Sequence, residues 1–301
     1  MEKWKIVLII VGLLSVSIVG YLGYQFFAVK QTISKITEEG VIDAPEKEIN
    51  VEPFTILLLG IDQSEGDQGR SDTIILLSIN PETKTTKMLS IPRDTRTEII
   101  GRGTTEKINH SYFYGGVKMT VDTVENFINV PIDYYATVNM ESFISIVDTV
   151  GGIEVNNDME LKTATHYFPK GKVKLDGEDA LVFSRIRYED PRGDFGRQTR
   201  QRLVLEAIMA KAKNPKILLS INQVLDIAGE SIRTNLTSSD ITQFPKLYNK
   251  IASPIQQLQF TQGTDEKIDG YWYYITDETE VSEFSESLNA NLNIRAATLQ
   301  N

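Results

Sequence analysis

The chain has no cysteine, which excludes disulfides, thiol catalysis, thiolate zinc sites and a lipoprotein-type cysteine anchor. Histidine is scarce: His110 and His166 are too few for a histidine-rich metal centre. A basic excess is also missing. The 31 Lys and Arg stand against 41 Asp and Glu, a formal net charge of −10, whereas general nucleic-acid binding needs a basic surface. No internal repeat and no low-complexity tract is present. What is there is a chain of 301 residues, 41% hydrophobic, enough for one large domain or two small ones around a real core.

The longest apolar run lies at the start. From Ile6 to Val29 no residue is charged, and Lys5 and Lys30 bracket the run. As a helix it would be about 36 Å long, enough to cross a hydrocarbon core of about 30 Å. Trp4, Tyr21 and Tyr24 lie towards its ends, where interfacial aromatics are favoured. A cleaved signal peptide would have a shorter apolar region followed by a small-x-small site, and none follows convincingly. The expected organisation is a cytoplasmic N-terminus over residues 1–5, one transmembrane helix over 6–29, a polar stalk over 30–52 and an extracytoplasmic domain over 53–301. Lys3, Lys5 and the terminal amine set that orientation for a single-pass protein of the cell membrane.

Within the domain, Phe54–Leu59 and Thr73–Ile79 are short continuous apolar runs, as in strands buried on both faces. Asn80–Thr83 is a turn, and Lys87–Ile91 returns as a third strand. Helical spacing follows at Val117–Ile128 and at Phe143–Val150, the second stopped by Gly151-Gly152. Glu178–Ser184, Arg197–Lys213, Leu218–Ala228, Ser239–Ile251 and Glu278–Leu292 are further predicted helices. Gln256–Thr261 and Tyr271–Thr276 are predicted strands. The alternation predicts an α/β fold: a mixed central β-sheet flanked by helices, in a layered α/β/α arrangement preceded by the transmembrane helix.

Four separate segments carry arginine against the acidic trend of the chain: Arg70-Ser71-Asp72-Thr73, Pro92-Arg93-Asp94-Thr95, Arg185-Ile186-Arg187 and Asp194–Gln201. Arginine grips phosphate bidentately, and aspartate oxygens hold Mg²⁺. Asp62 ends the first strand and Asp72 begins the second, so antiparallel pairing would bring both carboxylates to one sheet edge. The same residues also read as turn and cap residues of a solvated loop, a reading that Glu65 and Asp67 nearby favour. Arg93 closes the third strand at a similar level, either towards that edge or in a surface ion pair. On an extended segment Arg185 and Arg187 would point the same way, to a shared anion or to solvent. Arg197, Arg200 and Gln201 stand at i, i+3 and i+4 on one helical face near a helix start, where the dipole favours anions over cations. Lys107 joins the candidates.

Taken in order, these segments are familiar. Gly60-Ile61-Asp62, Arg70–Thr73, Ser90–Thr95, Lys107-Ile108-Asn109, Val150–Val155, Leu175–Leu181, Ser184–Arg187, Asp194–Arg197 and Arg200-Gln201 together resemble the LytR-CpsA-Psr family of membrane-anchored cell-wall proteins. The resemblance runs from about Phe54 to Lys213. It departs from the pattern at Tyr188, where many relatives have histidine, and weakens after Pro215.

The resemblance implies a Gram-positive-type phosphotransferase. It would move a glycopolymer, such as teichoic acid or capsular polysaccharide, from a polyprenyl diphosphate carrier onto peptidoglycan through a phosphodiester. Polyprenyl phosphate would leave. Carried over residue by residue, Asp62 and Asp72 would bind Mg²⁺. Arg70, Arg93, Lys107, Arg185, Arg187, Arg197, Arg200 and Gln201 would hold the diphosphate, with Arg93 and Arg197 also acting in catalysis. Asp94 would orient the arginines or help accept the attacking hydroxyl's proton, and an apolar tunnel would hold the isoprenoid. The alternatives are a polyprenyl-diphosphate phosphatase and a non-enzymatic sensor of lipid-linked precursors.

Overall fold

The computed structural model describes residues 37, 41–63, 67–211, 232–237, 239–241, 243, 246–247 and 255–293. The expected transmembrane helix, residues 30–36 and 38–40 of the stalk and the predicted helix over 218–228 lie outside the described residues, as does part of the one over 239–251. Among the described residues no helix is long and apolar enough to cross a membrane.

A six-stranded mixed sheet forms the centre. Its strands are β1 (Phe54–Asp62), β2 (Arg70–Asn80), β3 (Thr85–Ser90), β6 (Tyr134–Asn139), β11 (Ile232–Thr234) and β12 (Gln256–Gln259), in the order β11-β6-β1-β2-β3-β12. Strands β1, β2 and β3 pair antiparallel in succession, while β6 joins β1 and β12 joins β3 in parallel. The apolar runs of β1 and β2 serve both faces at once, because successive side chains point to opposite sides. Leu57, Leu59, Ile74 and Leu76 enter one core; Phe54, Ile56, Ile75 and Leu77 enter another.

On the first face, helix α1 (His110–Ile128) supplies Val117, Val121, Val124 and Ile128, and helix α5 (Glu278–Asn291) supplies Leu288. Helix α1 is kinked at the non-helical pair Gly115-Gly116; the part from Val117 is the helix its apolar spacing predicts, and a further turn from His110 precedes the kink. The opposite face carries α2 (Met140–Thr149), α3 (Gly177–Arg185) and α4 (Asp194–Lys211). These three helices build a third core with β7 (Ile153–Asn157) and β10 (Gly171–Leu175), centred on Val147, Phe183 and Val204. Asn139, Asp176 and Asp277 cap α2, α3 and α5 by accepting from backbone N–H groups three residues on. Gly151 and Gly152 follow α2 with φ of 75° and 71°, the left-handed stop their pairing predicts. The layered α/β/α class is the one observed.

Three short hairpins complete the described part: β4 (Arg96–Ile99) with β5 (Thr104–Lys107), β8 (Leu161–Lys162) with β9 (Tyr167–Phe168), and β13 (Thr264–Ile268) with β14 (Tyr271–Ile275). One irregularity in the sheet positions the site. Gly60 pairs with Thr73 but Ile61 with Ser71, so Asp72 is an extra residue bulged out of β2. Bulges of this kind re-aim a side chain. Glycine is required opposite it, since a Cβ on Gly60 would come within 2.8 Å of the Thr73 Cβ.

Candidate active site

Between the sheet and the second helical layer the packing leaves a cavity of about 450 Å³. Its body is apolar. Leu58 and Ile75 line it from the sheet centre, Ala136 and Val138 from β6, Phe143 and Ile146 from α2, Leu181 from α3, and Val204, Leu205 and Ile208 from α4. An apolar slot with polar groups gathered at one end suits a ligand with a hydrocarbon part and a charged head.

The charged end draws on five distant segments. Asp62 from the end of β1, Asp72 from the bulge, Arg93 from the turn after β3, Arg185 and Arg187 around the end of α3, and Arg197 and Gln201 from the first turns of α4 all line it. Arginine and aspartate alternate there. Asp72 accepts from the Arg93 guanidinium and, at 3.0 Å, from the Asn109 amide. Arg185 Nη2 lies 3.3 Å from Asp62, and Arg197 Nη2 lies 2.6 Å from Asp194, which Arg187 approaches at 4.0 Å.

The electrostatics separate the two deepest arginines. Burial weakens the charged form of Arg93, but the carboxylates of Asp72, Asp94 and Asp194 outweigh it and hold its pKa above the ordinary value. At Arg197 burial wins, and the nearby Arg93 and Arg187 charges reinforce it against Asp194 and Asp72, so its pKa is lowered. A cation destabilised by burial and by like charges gains most from a new anion. Both arginines also keep a buried Nε–H without a hydrogen-bond partner. Unpaired buried donors are costly, and a phosphate oxygen is a suitable acceptor for them.

The LytR_cpsA_psr family model matches residues 23–290. The chain belongs to the LytR_cpsA_psr family. It is 43% identical over 292 residues to the polyisoprenyl-teichoic acid–peptidoglycan teichoic acid transferase TagU of Bacillus subtilis, covering 95% of this chain and 94% of that protein. The crystal structure of B. subtilis TagU superposes with a TM-score of 0.67 at 43% identity, covering 81% of this chain and 98% of that one. A structure of TagT bound to LIIa-WTA superposes with a TM-score of 0.70 at 32% identity, covering 83% of this chain and 94% of that one. The central mixed sheet with flanking helices is thus the family's fold.

Not every predicted site residue of this family member reaches the cavity. Arg200 does not: its guanidinium is buried and turned into the protein. There it donates to the carbonyls of Phe183 (3.0 Å) and Ile186 and to the carboxylate of Asp190. The i, i+3, i+4 spacing put it on a face with Arg197 and Gln201, but only those two line the cavity. Arg200 instead clamps the chain on either side of Arg185. Arg185 itself ends α3 and is not on a strand; Ile186 turns into the core while Arg185 and Arg187 both line the cavity.

Arg70 lies outside the cavity lining, exposed and 5.9 Å from the Phe113 ring. Lys107 and Asp94 form a pair beside the mouth: Lys107 Nζ is 2.7 Å from Asp94 Oδ1, while Asp94 Oδ2 is 3.8 Å from Arg93 Nε. Sequence reasoning assigned no role to Asn109, although it stands in the quoted Lys107-Ile108-Asn109 run. Its buried amide holds Asp72, and its backbone N–H donates to the Arg93 carbonyl at 3.3 Å.

Asp62 and Asp72 are the two carboxylates that line the cavity. Among the described residues no group of three or more acids and histidines could hold a metal. Mg²⁺ is commonly bound through one or two carboxylates, with substrate phosphate oxygens and water filling the rest. The donor set therefore fits a metal that arrives with a phosphorylated substrate.

Proposed function

We infer that this protein transfers a teichoic-acid-type glycopolymer from a polyprenyl diphosphate carrier to peptidoglycan. The relative named above as a teichoic acid transferase supports this reading, as does the structure of TagT bound to LIIa-WTA. The observation that carries it is an apolar cavity closed at one end by arginines, two of which keep buried unpaired N–H donors.

The isoprenoid occupies the slot between β6, α2 and α4, and the diphosphate meets Arg93, Arg185, Arg187, Arg197 and Gln201. Mg²⁺, held by Asp62 and Asp72, would neutralise charge on the diphosphate. An acceptor hydroxyl oxygen bonds to the phosphorus that bears the polymer. The bond from that phosphorus to the bridging oxygen breaks, and its electron pair leaves on polyprenyl phosphate. Positively charged groups placed where that charge grows stabilise the transition state without reorganising. Lys107 occupies Asp94 Oδ1, leaving Oδ2 beside Arg93 to take the hydroxyl proton. The predicted helix over 6–29 would tether this site where lipid carrier and wall meet, raising the effective concentration of both.

The test is conversion of a polyprenyl-diphosphate-linked polymer, with and without peptidoglycan fragments, by the full chain. Conjugate should form with acceptor present and cease on chelation of divalent cations. Arg197→Ala should lower kcat by about 100-fold or more, the scale of removing a preorganised charge donor. Free polymer without conjugate, at any acceptor concentration, would replace the transferase reading with a phosphatase.

A further inference from the structure

A transferase of this kind needs a second substrate beside the first, and the lipid cavity serves only the donor. The other flank of the Asp94–Lys107 pair is formed by the β13–β14 hairpin. The Tyr274 backbone N–H donates to the Asp94 carbonyl at 2.9 Å, and Thr95 bridges Tyr274, so β14 is joined to the segment carrying Asp94. Tyr274 and Tyr273 then face opposite ways. Tyr274 packs into the core against Phe195 and Phe260. Tyr273 lies with its ring 5.9 Å from both Arg96 and Lys107. Tyr271, two residues before Tyr273 and therefore on the same side of the strand, is 67% exposed. One strand face thus runs from an open aromatic ring, over a second, to the lysine that holds Asp94.

We propose that the Tyr271–Tyr273 face of this hairpin docks the acceptor glycan, with sugar rings stacked on the two tyrosines and led towards Asp94. This rests on the transferase reading above. Pyranose rings present apolar C–H faces that stack on aromatic rings, and tyrosine suits a surface that is part apolar and part wet. Place selects the occupant, because this face leads to the Asp94–Lys107 pair and not to the lipid cavity. By register Glu266 is the one acid of the hairpin strands on the tyrosine face, opposite Tyr273, whose ring also has Arg96 and Lys107 beside it. Lys107 is paired with Asp94, so Glu266 and Arg96 leave the face near neutral, as suits an uncharged sugar of the wall.

The experiment measures transfer by the full chain from a polyprenyl-diphosphate-linked polymer to a peptidoglycan fragment, with the acceptor and donor concentrations varied separately. Tyr271→Ala should raise the acceptor KM about fivefold or more, the scale of one lost aromatic contact. Its donor KM should stay within about twofold. Tyr271→Phe should restore the acceptor KM. Trp272→Ala, on the opposite strand face and also exposed, should leave it unchanged.

An unchanged acceptor KM in Tyr271→Ala overturns the proposal, as does an equal effect from Trp272→Ala. Loss of binding to anionic phospholipid vesicles in Tyr271→Ala, with transfer kinetics intact, would reassign the face to the membrane. Absence of transfer in the unaltered protein would instead remove the transferase reading. Direct titration of the same fragment into unaltered and Tyr271→Ala protein then decides the docking face by itself: equal affinities overturn it.

Discussion

Replacing Arg200 with alanine separates two roles for this residue. The Arg200 and Asp190 side chains are 1% and 0% exposed, and the guanidinium also serves the carbonyls of Phe183 and Ile186. Removing one partner of a buried pair costs about 3–5 kcal/mol, because the remaining charge loses its compensation. Two backbone carbonyls would also lose their donor, at about 1–3 kcal/mol each where water cannot replace it. Asp190 keeps three bonds from Arg192, two from its guanidinium at 2.9 and 3.0 Å and one from its backbone N–H at 2.8 Å, which moderates the loss. The expected total is about 3–5 kcal/mol, read as a lower urea midpoint by tryptophan fluorescence. Arg187→Ala, at the partly exposed mouth, should change the unfolding free energy by less than about 1 kcal/mol while abolishing transfer. The opposite pattern would refute the argument. If Arg200→Ala kept the midpoint and raised only the donor KM, Arg200 would be a ligand of the diphosphate after all.

Two further outcomes follow from the cavity and its surroundings. Val138→Phe fills part of the apolar slot, so the KM should rise about tenfold for a long-chain polyprenyl donor, about 1.4 kcal/mol, and little for a short-chain analogue. Equal effects on both would mean that the isoprenoid lies elsewhere. Acid should destabilise the domain through Asp190 and Glu106, both with pKa lowered to about 2. In each case burial opposes the shift but is outweighed, at Asp190 by hydrogen bonds from Arg192 and Arg200 and at Glu106 by those from His110, Tyr114 and Thr104. A depressed folded pKa gives stability that is full above the ordinary carboxylate range and is lost as pH falls from about 4.5 towards 2. Asp190→Asn should lower stability at pH 7 and flatten that fall, measured as urea midpoints at pH 7, 4 and 3.

What could be read in advance depended on how much of the signal was local. Strands β1, β2 and β3 were legible because they are buried on both faces and bounded by turn residues. Helices α2, α3 and α5 carry a side-chain cap at the start, and the end of α2 carries glycine as well. Strand β13, Thr-Asp-Glu-Lys-Ile, has no apolar alternation to betray it, because most of its side chains face solvent. The bulge at Asp72 was likewise invisible, since it depends on which residue of β1 lies opposite. Arg200 misled for a related reason. Residues three and four apart share a helix face only approximately, and on α4 that small angle divides the cavity from the chain around Phe183 and Ile186. Asp62, Asp72, Arg93, Arg185, Arg187, Arg197 and Gln201 come together although no local spacing demands it.

The alternation of arginine and aspartate at the mouth bears on turnover. Arg93 rests on Asp72, Arg185 on Asp62, and Arg197 on Asp194. These internal anions hold the guanidinium groups in place beforehand, where phosphate oxygens would come in the proposed reaction. They would also be competitors. Once the diphosphate is cleaved, the remaining monophosphate would have to outbid carboxylates that never leave. A mouth of arginines alone would hold its product; one with built-in rivals would let the spent carrier go.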